Sequence, residues 1–314
     1  MTGLIIHEVG LRDGLQVEKQ TVPRQEKERW IEGLFASGID IIQLGSFVHP
    51  EKVPQMADTD DLFRQYSAHK PAHVTLSGLV LNERGLERGL ACGVEMFCMG
   101  VSASETHSKK NTGMTPAEAL GRIIPMAQQA LATGKKVQVS VQSAFGCGFE
   151  GPINQEKVLE IVKAYLETGL RNISLADTAG HAHPQQVEAL FGAIRQMEPS
   201  VELACHFHNT YGLGLANCYA ALKSGVISFE SAFGGLGGCP FTKLPAGNVS
   251  TEDLVHSLQR MGLRKDVRLD VLLNVADQVS TFFGRELPGF ILKSGSIVDF
   301  QGQSCPGQQA SGGA

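Results

Sequence analysis

Short apolar runs alternate with longer amphipathic stretches along nearly the whole chain, and turn residues fall between them. The apolar runs read as strands at Leu4–Val9, Asp40–Leu44, Val74–Leu79, Glu95–Val101, Lys136–Ser143, Asn172–Ala176, Glu202–His208 and Phe229–Phe233. Helical periodicity is found over Pro23–Ser37, Asn82–Cys92, Thr115–Thr133, Asn154–Thr168, His183–Met197, Leu213–Ser224 and Ser250–Met261, several of them closed by glycine. The segments through His49-Pro50 and from Ser102 to Met114 carry no such period and read as loops. Most strands are continuous apolar runs rather than alternating ones, as expected of strands covered on both faces. Eight strand units in one chain of 314 residues predict a closed (β/α)8 TIM barrel. A doubly wound open sheet is the alternative. A further helical segment near Leu269–Phe283, and a weaker one after it, predict a short C-terminal helical extension. No linker divides the chain, so residues 1–301 are expected to form one catalytic domain. The Gly/Gln/Ser-rich stretch 302–314 is expected to be a disordered tail.

Composition narrows the function classes. Hydrophobic residues make up 42 % and charged residues 19 % of the chain, with a net charge of −5. No basic run interleaved with aromatics occurs, which argues against nucleic acid as a partner. No apolar stretch is long enough to cross a membrane, and no basic segment with a cleavage site precedes the first strand, so a cytoplasmic protein is expected. Seven scattered cysteines without a C-x-x-C pair fit a reducing compartment, with Cys92, Cys98, Cys205 and Cys218 as small buried hydrophobes.

In a barrel of this kind the active site lies where strands end. Arg12 and Asp13 follow the first strand, Gln43 and Ser46 end the second, Asp177 follows the sixth, and His206 and His208 end the seventh. Residues two apart on a strand share a face, so His206 and His208 can converge on one ion, with Asp13 the best candidate carboxylate. The alternative is one core and one surface histidine. Asp177 reads as an N-cap or as a group that orients a ligand. Arg12 reads as half of a surface ion pair or as a cation aimed at a developing oxyanion. Gly234–Cys239 holds four glycines in six residues, outside any phosphate-binding fingerprint. That run tolerates unusual backbone angles and can move as a lid. Cys239 at its end is either an inert thiol or a proton donor.

The runs Val9–Gln16 (VGLRDGLQ), Ser46–Val48 (SFV), His206–Gly212 (HFHNTYG), Gly234–Phe241 (GGLGGCPF) and Gly247–Val255 (GNVSTEDLV) resemble the 3-hydroxy-3-methylglutaryl-CoA lyases of the DRE-TIM metallolyase superfamily. The resemblance covers about residues 4–290. It implies that Asp13, His206, His208 and Asn248 bind Mg²⁺ or Mn²⁺, that Arg12 stabilises an enolate oxygen, and that Cys239 takes part in proton transfer. Asp13 or His206 would act as the base, Asp177 would support the site, and Gln16, Gln43, Ser46 and Gly237 would lie close to substrate. The implied reaction is retro-Claisen cleavage of an acyl-CoA substrate to acetyl-CoA and a keto product, as in leucine catabolism, by a homodimer. Lys19, Lys109 and Lys110 would meet CoA phosphates or remain solvated. The departures are Gln43 where the family carries Glu, Gly148 in place of a proline, Asn209 where the lyases often carry Asp, and Gly45 where a larger residue is usual, which suggests a roomier pocket. They surround the substrate and spare the metal set, so a different branched 3-hydroxyacyl-CoA is an open alternative. Synthases and 4-hydroxy-2-oxo-acid aldolases of the superfamily are the other possibilities. The synthases carry further C-terminal domains, and the aldolases need no CoA.

Overall fold

The apolar runs form eight parallel strands, β1 (Ile5–Glu8), β2 (Ile41–Ser46), β3 (Thr75–Leu79), β4 (Met96–Ser102), β5 (Lys136–Gln142), β6 (Asn172–Asp177), β7 (Glu202–Phe207) and β8 (Ser228–Ser231). They close in sequence order into a barrel, with Ile5–Glu8 of β1 paired in register with Ser228–Ser231 of β8. The TIM-barrel expectation therefore holds, and the open sheet is excluded. The structure, a computed structural model, describes residues 3–238 and 247–297. Cys239, the end of the glycine run, Cys305 and the 302–314 tail lie outside the described residues.

Helices α1 (Arg24–Ser37), α2 (Thr59–Tyr66), α3 (Glu83–Cys92), α4 (Glu105–Thr112), α5 (Pro116–Ala132), α6 (Gln155–Glu167), α7 (Pro184–Met197), α8 (Gly214–Lys223) and α9 (Thr251–Arg260) surround the strands. Their starts follow capping chemistry. Asn82, Ser104, Thr115, Asn154 and Ser250 each accept a hydrogen bond from a first-turn amide, and Thr115 with Glu118 forms a full capping box. The extension is α10 (Leu269–Phe283) and a short α11 (Ile291–Ser294). Trp30 of α1 is fully buried, edge-on to Phe282 of α10 at 5.7 Å and to Phe233 after β8 at 5.9 Å. The indole joins the extension to the root of the glycine run, where Gly289 N also donates to the Gly234 carbonyl at 3.1 Å.

Two loops of the sequence reading contain helices. α2 follows β2 and completes the second βα unit. It buries only Thr59, Leu62, Phe63 and Tyr66, too short a stripe to register as a period, while Asp60 and Asp61 complement the positive end of the helix. α4 lies within the polar stretch after β4 and buries only His107 and Ser108. A helix without an apolar stripe gives no periodic signal. β2 also runs two residues further than expected, through an irregularity in register between Gln43 and Gly45. The expectation that Gly45 enlarges the pocket is not met. A Cβ at Gly45 would run into the Thr59 side chain of α2, so the space is already filled.

The barrel interior is unusually polar. Interiors of this fold are ordinarily packed with branched apolar residues. Here Ser77 and His7 are hydrogen-bonded at 2.8 Å and Ser174 donates to Glu230 at 2.9 Å, both inside the barrel. Desolvation lowers His7 to about 4, so its ring is neutral. A core of this kind suits a pocket that penetrates the barrel.

Candidate active site

β1 ends in a single wide helical turn, Gly10–Gly14, in which the Val9 carbonyl accepts from the amides of Arg12, Asp13 and Gly14. Such widened turns recur at functional sites. This one turns Asp13 toward β7, whose end presents His206 and His208 on one face. The Asp13 Oδ2 atom lies 3.7 Å from the Nε2 of each imidazole, and the two Nε2 atoms are 3.1 Å apart. Asn248 joins them because the chain after the glycine run bridges back to His208, with Asn209 N donating to the Gly247 carbonyl at 2.9 Å. The Asn248 amide donates to Asp13 Oδ2 at 2.8 Å and to the Leu236 carbonyl at 2.9 Å. Its Oδ1 is buried without a partner, as is His208 Nδ1.

Asp13, His206 and His208 each offer one donor atom within 4.8 Å of the others. Two imidazole nitrogens facing one another beside a carboxylate can share a proton or converge on one cation. The orphaned Asn248 oxygen adds a fourth donor, and a mixed N/O set of this kind suits a hard or borderline divalent ion. The residues present therefore fit a divalent metal.

The surrounding charges prepare the set. Arg12 is held inside the site rather than at the surface, its guanidinium bonded to Asp13 and to the Gln43 side-chain oxygen. Burial alone would raise Asp13, but Arg12 and the two histidines hold it well below the usual carboxylate range. His206 Nδ1 pairs with Glu230 of β8 at 3.0 Å. Desolvation would lower His206, and the Glu230 hydrogen bond with the Asp13 charge outweighs it and lifts its pKa. A carboxylate behind a ligating histidine fixes its tautomer and ring plane.

Three further buried carboxylates tie the site's loops together. Glu8 accepts from Gly10 N, Phe233 N and Thr251 Oγ1 at 2.6, 3.0 and 2.5 Å. Glu252 accepts from Gly234 N at 2.7 Å and Ser250 Oγ at 2.6 Å, and Asp253 takes the amides of Phe290 and Ile291. Glu8 thus links the Arg12–Asp13 turn, the root of the glycine run and α9, Glu252 holds the glycine run to α9, and Asp253 holds the start of α11 to α9. Desolvation raises Glu8 to about 8 and Glu252 to about 7. The glycine run adopts the angles expected of it: Gly234, Gly235 and Gly237 have positive φ, and a Cβ on Gly237 would sit 2.5 Å from Asn248 Nδ2.

A pocket of about 220 Å³ opens here, lined by Arg12, Asp13, Gln16, Gln43, His206 and His208 among others. Of the remaining candidates, Gly237 packs behind Asn248, and Ser46 is fully buried with an unpartnered hydroxyl. Asp177 accepts from His181 N at 2.8 Å and Ala182 N at 3.1 Å, and desolvation raises it to about 6. Its carboxylate shapes the turn after β6, whose Thr178 lines the pocket instead. Lys109 faces Glu105 at 4.0 Å and Lys110 stands 4.5 Å above the Phe149 ring, on α4.

The sequence matches the HMGL-like family model over residues 3–279. The chain belongs to the HMGL-like family. Hydroxymethylglutaryl-CoA lyase of Bacillus subtilis (strain 168) is 37 % identical over 283 residues, 90 % of this chain and 94 % of that protein. (R)-citramalyl-CoA lyase of Chloroflexus aurantiacus is 36 % identical over 95 % of this chain and 96 % of its own length. Among solved structures, an HMG-CoA lyase from Acinetobacter baumannii, in complex with coenzyme A and 3-methylmalate, aligns with a TM-score of 0.88 at 35 % identity. That alignment covers 94 % of this chain and 96 % of the other. This HMGL-like protein is accordingly a carbon–carbon lyase.

Several residues of the HMGL-like site escape motif reading. Glu230 is one acid within an apolar strand, and its only signal is being ionisable where a core residue is expected. Glu8 hides in the same way, whereas Glu252 stands inside the Gly247–Val255 run, which by itself gives it no role. Gln138 of β5 and His107 of α4 line the pocket but belong to no motif. Cys98, expected as a small buried hydrophobe, is buried and also lines the pocket.

Proposed function

We propose that this protein is a divalent-metal-dependent retro-Claisen lyase that cleaves 3-hydroxy-3-methylglutaryl-CoA, or a related 3-hydroxyacyl-CoA, to acetyl-CoA and a keto product such as acetoacetate. The convergence of Asp13, His206, His208 and Asn248 beside Arg12 at the barrel mouth carries this reading. These four residues would hold Mg²⁺ or Mn²⁺, which when bound lowers the pKa of a coordinated hydroxyl and orients it. Asp13 or His206 takes the hydroxyl proton. The electron pair of the breaking carbon–carbon bond passes to the thioester, and Arg12 offsets the enolate charge that develops there. Cys239 returns a proton to the enolate carbon and yields acetyl-CoA. Gln43 and Gln16 border the substrate, and Glu230 keeps the His206 ring aligned. The coenzyme A bound by the structural relative supports an acyl-CoA substrate. A homodimer and a cytoplasmic location belong to the same proposal. No helix among the described residues is long and apolar enough to cross a membrane.

A second reading is a lyase for a differently branched 3-hydroxyacyl-CoA. It is favoured by the neutral Gln43 beside Arg12 and by the 36 % identity to a citramalyl-CoA lyase. A coupled assay for acetyl-CoA release from 3-hydroxy-3-methylglutaryl-CoA, with Mg²⁺ or Mn²⁺ and then with chelator, separates the two. Chelator-sensitive release establishes the first. No release from metal-loaded protein that binds CoA refutes it and leaves the second.

A further inference from the structure

On the outside of the barrel, α8 is apolar on both of its faces. It buries Gly214, Cys218, Ala220 and Ala221 against the rest of the fold. Its outer side carries Leu215, Ala216, Tyr219 and Leu222, and its single charged residue is Lys223, at the last position. An outer barrel helix ordinarily turns charges to water, as α6 does with Glu156, Lys157, Glu160, Lys163 and Glu167. A helix that is hydrophobic all round belongs in an interior. Yet Tyr219 is 53 % exposed, Leu213 just before the helix 40 %, and Met261 just after α9 43 %. Between α8 and α9 runs a groove of about 330 Å³, lined by Leu215, Tyr219, Leu222, His256, Arg260 and Met261 among others.

The layout of this patch says what covers it. α8 and α9 lie side by side and both run away from the barrel mouth. Their ends, Lys223, Arg260 and Met261, therefore gather at one edge of the patch. Leu213 projects at the other edge, about 15 Å away along the ten residues of α8. A ridge at one edge and a groove at the other fit a second copy of the same patch turned antiparallel. The Leu213 edge of each chain then meets the Met261 edge of the other, as a two-fold interface requires. Tyr219, the sixth of the ten residues of α8, falls close to the axis. Lys223 and Arg260 stay at opposite rims, clear of the axis where like charges would repel. The exposed apolar area of the patch is about 400 Å², close to the apolar half of the ~800 Å² that each partner buries in a stable interface.

Extending the homodimer part of the proposed function, and resting on that part alone, we infer that the outer face of α8 with the α8–α9 groove is the surface through which a second copy of this chain docks, across a two-fold axis near Tyr219. Each Leu213 enters the other chain's groove, and the two Tyr219 rings meet at the centre.

Sedimentation equilibrium of the full chain across the micromolar range tests this, with Tyr219→Glu and Tyr219→Lys each checked for folding by circular dichroism. Wild type should be a dimer. Each variant alone should raise the dimer Kd at least tenfold, because at a two-fold axis the introduced charge faces its own copy. An equimolar mixture of the two should bind at least tenfold more tightly than either alone, since glutamate then faces lysine. Should neither variant fold, Leu213→Asp decides instead. Position 213 is the N-cap of α8, where aspartate is favoured, and the buried charge should again raise Kd at least tenfold. A wild-type dimer that the folded variants leave unchanged overturns the interface and spares the homodimer. Variants that dissociate and do not pair when mixed overturn the axis at Tyr219, and with it the inference. A monomeric wild type overturns the homodimer and the interface together, while acetyl-CoA release judges the lyase reading separately.

Discussion

Glu230 offers the sharpest test of the proposed metal centre, because among the three candidate donors Asp13, His206 and His208 it is hydrogen-bonded to His206. Its Oε2 lies 3.0 Å from His206 Nδ1, and its Oε1 accepts from Ser174 at 2.9 Å. Glu230→Gln preserves shape and can preserve both contacts, the amide oxygen facing His206 and the amide nitrogen donating to Ser174. What it removes is the charge. A hydrogen bond to an ionised partner contributes about 1.5–3 kcal/mol and a neutral one about 0.5–1.5 kcal/mol. The difference, roughly 1–1.5 kcal/mol, corresponds to about a tenfold loss of metal affinity. It falls at the low end of the 10–100-fold typical of partners behind a ligand. Glu230→Ala also frees the ring to turn and should cost about 100-fold. Calorimetric titration of Mn²⁺ into the metal-free protein measures both. The reasoning is refuted if folded Glu230→Gln and Glu230→Ala bind Mn²⁺ as tightly as wild type, for then His206 is no ligand or Glu230 does not orient it.

Two other predictions address the scaffold. Burial lifts Glu8 from 4.5 to about 8, so the folded protein keeps a proton that the unfolded chain has already released. Stability from this group is therefore full below about 4.5 and falls as pH rises toward about 8. In Glu8→Gln the melting temperature should depend less on pH than in wild type between these limits, and parallel profiles would mean that Glu8 is ionised in the fold. Gly45→Ala should lower stability by about 1–3 kcal/mol through the clash with Thr59 of α2 while leaving KM unchanged. A changed KM with unchanged stability would return position 45 to the pocket.

The sequence by itself determined the barrel and its candidate metal set. Eight apolar runs covered on both sides admit few closed arrangements, and polar residues clustered after nearly every run mark the end at which chemistry sits. His206 and His208 could be placed on one face from strand alternation alone. That local rule needs no knowledge of the rest of the chain. Asn248 was legible only through the family's motif, since nothing near it in sequence says that the segment turns back against His208.

The tertiary structure alone decided what surrounds those residues. Of the two short helices, α2 carries a buried stripe only two turns long, and α4 owes its form to its Ser104 cap and to packing rather than to an apolar stripe. α2 also reversed the reading of Gly45, because a small residue on a strand enlarges whichever space it faces, and the fold determines which that is. Glu8, Glu230 and Gln138 are polar residues within strands, and Glu252 stands in the first turn of α9. In a strand such a residue faces outward or into the barrel, and its worth depends on partners 18 to 243 positions away in sequence. Hydrogen bonds across a closed barrel are non-local, so only the closed barrel shows that Glu230 supports His206 and that Gln138 meets Cys98.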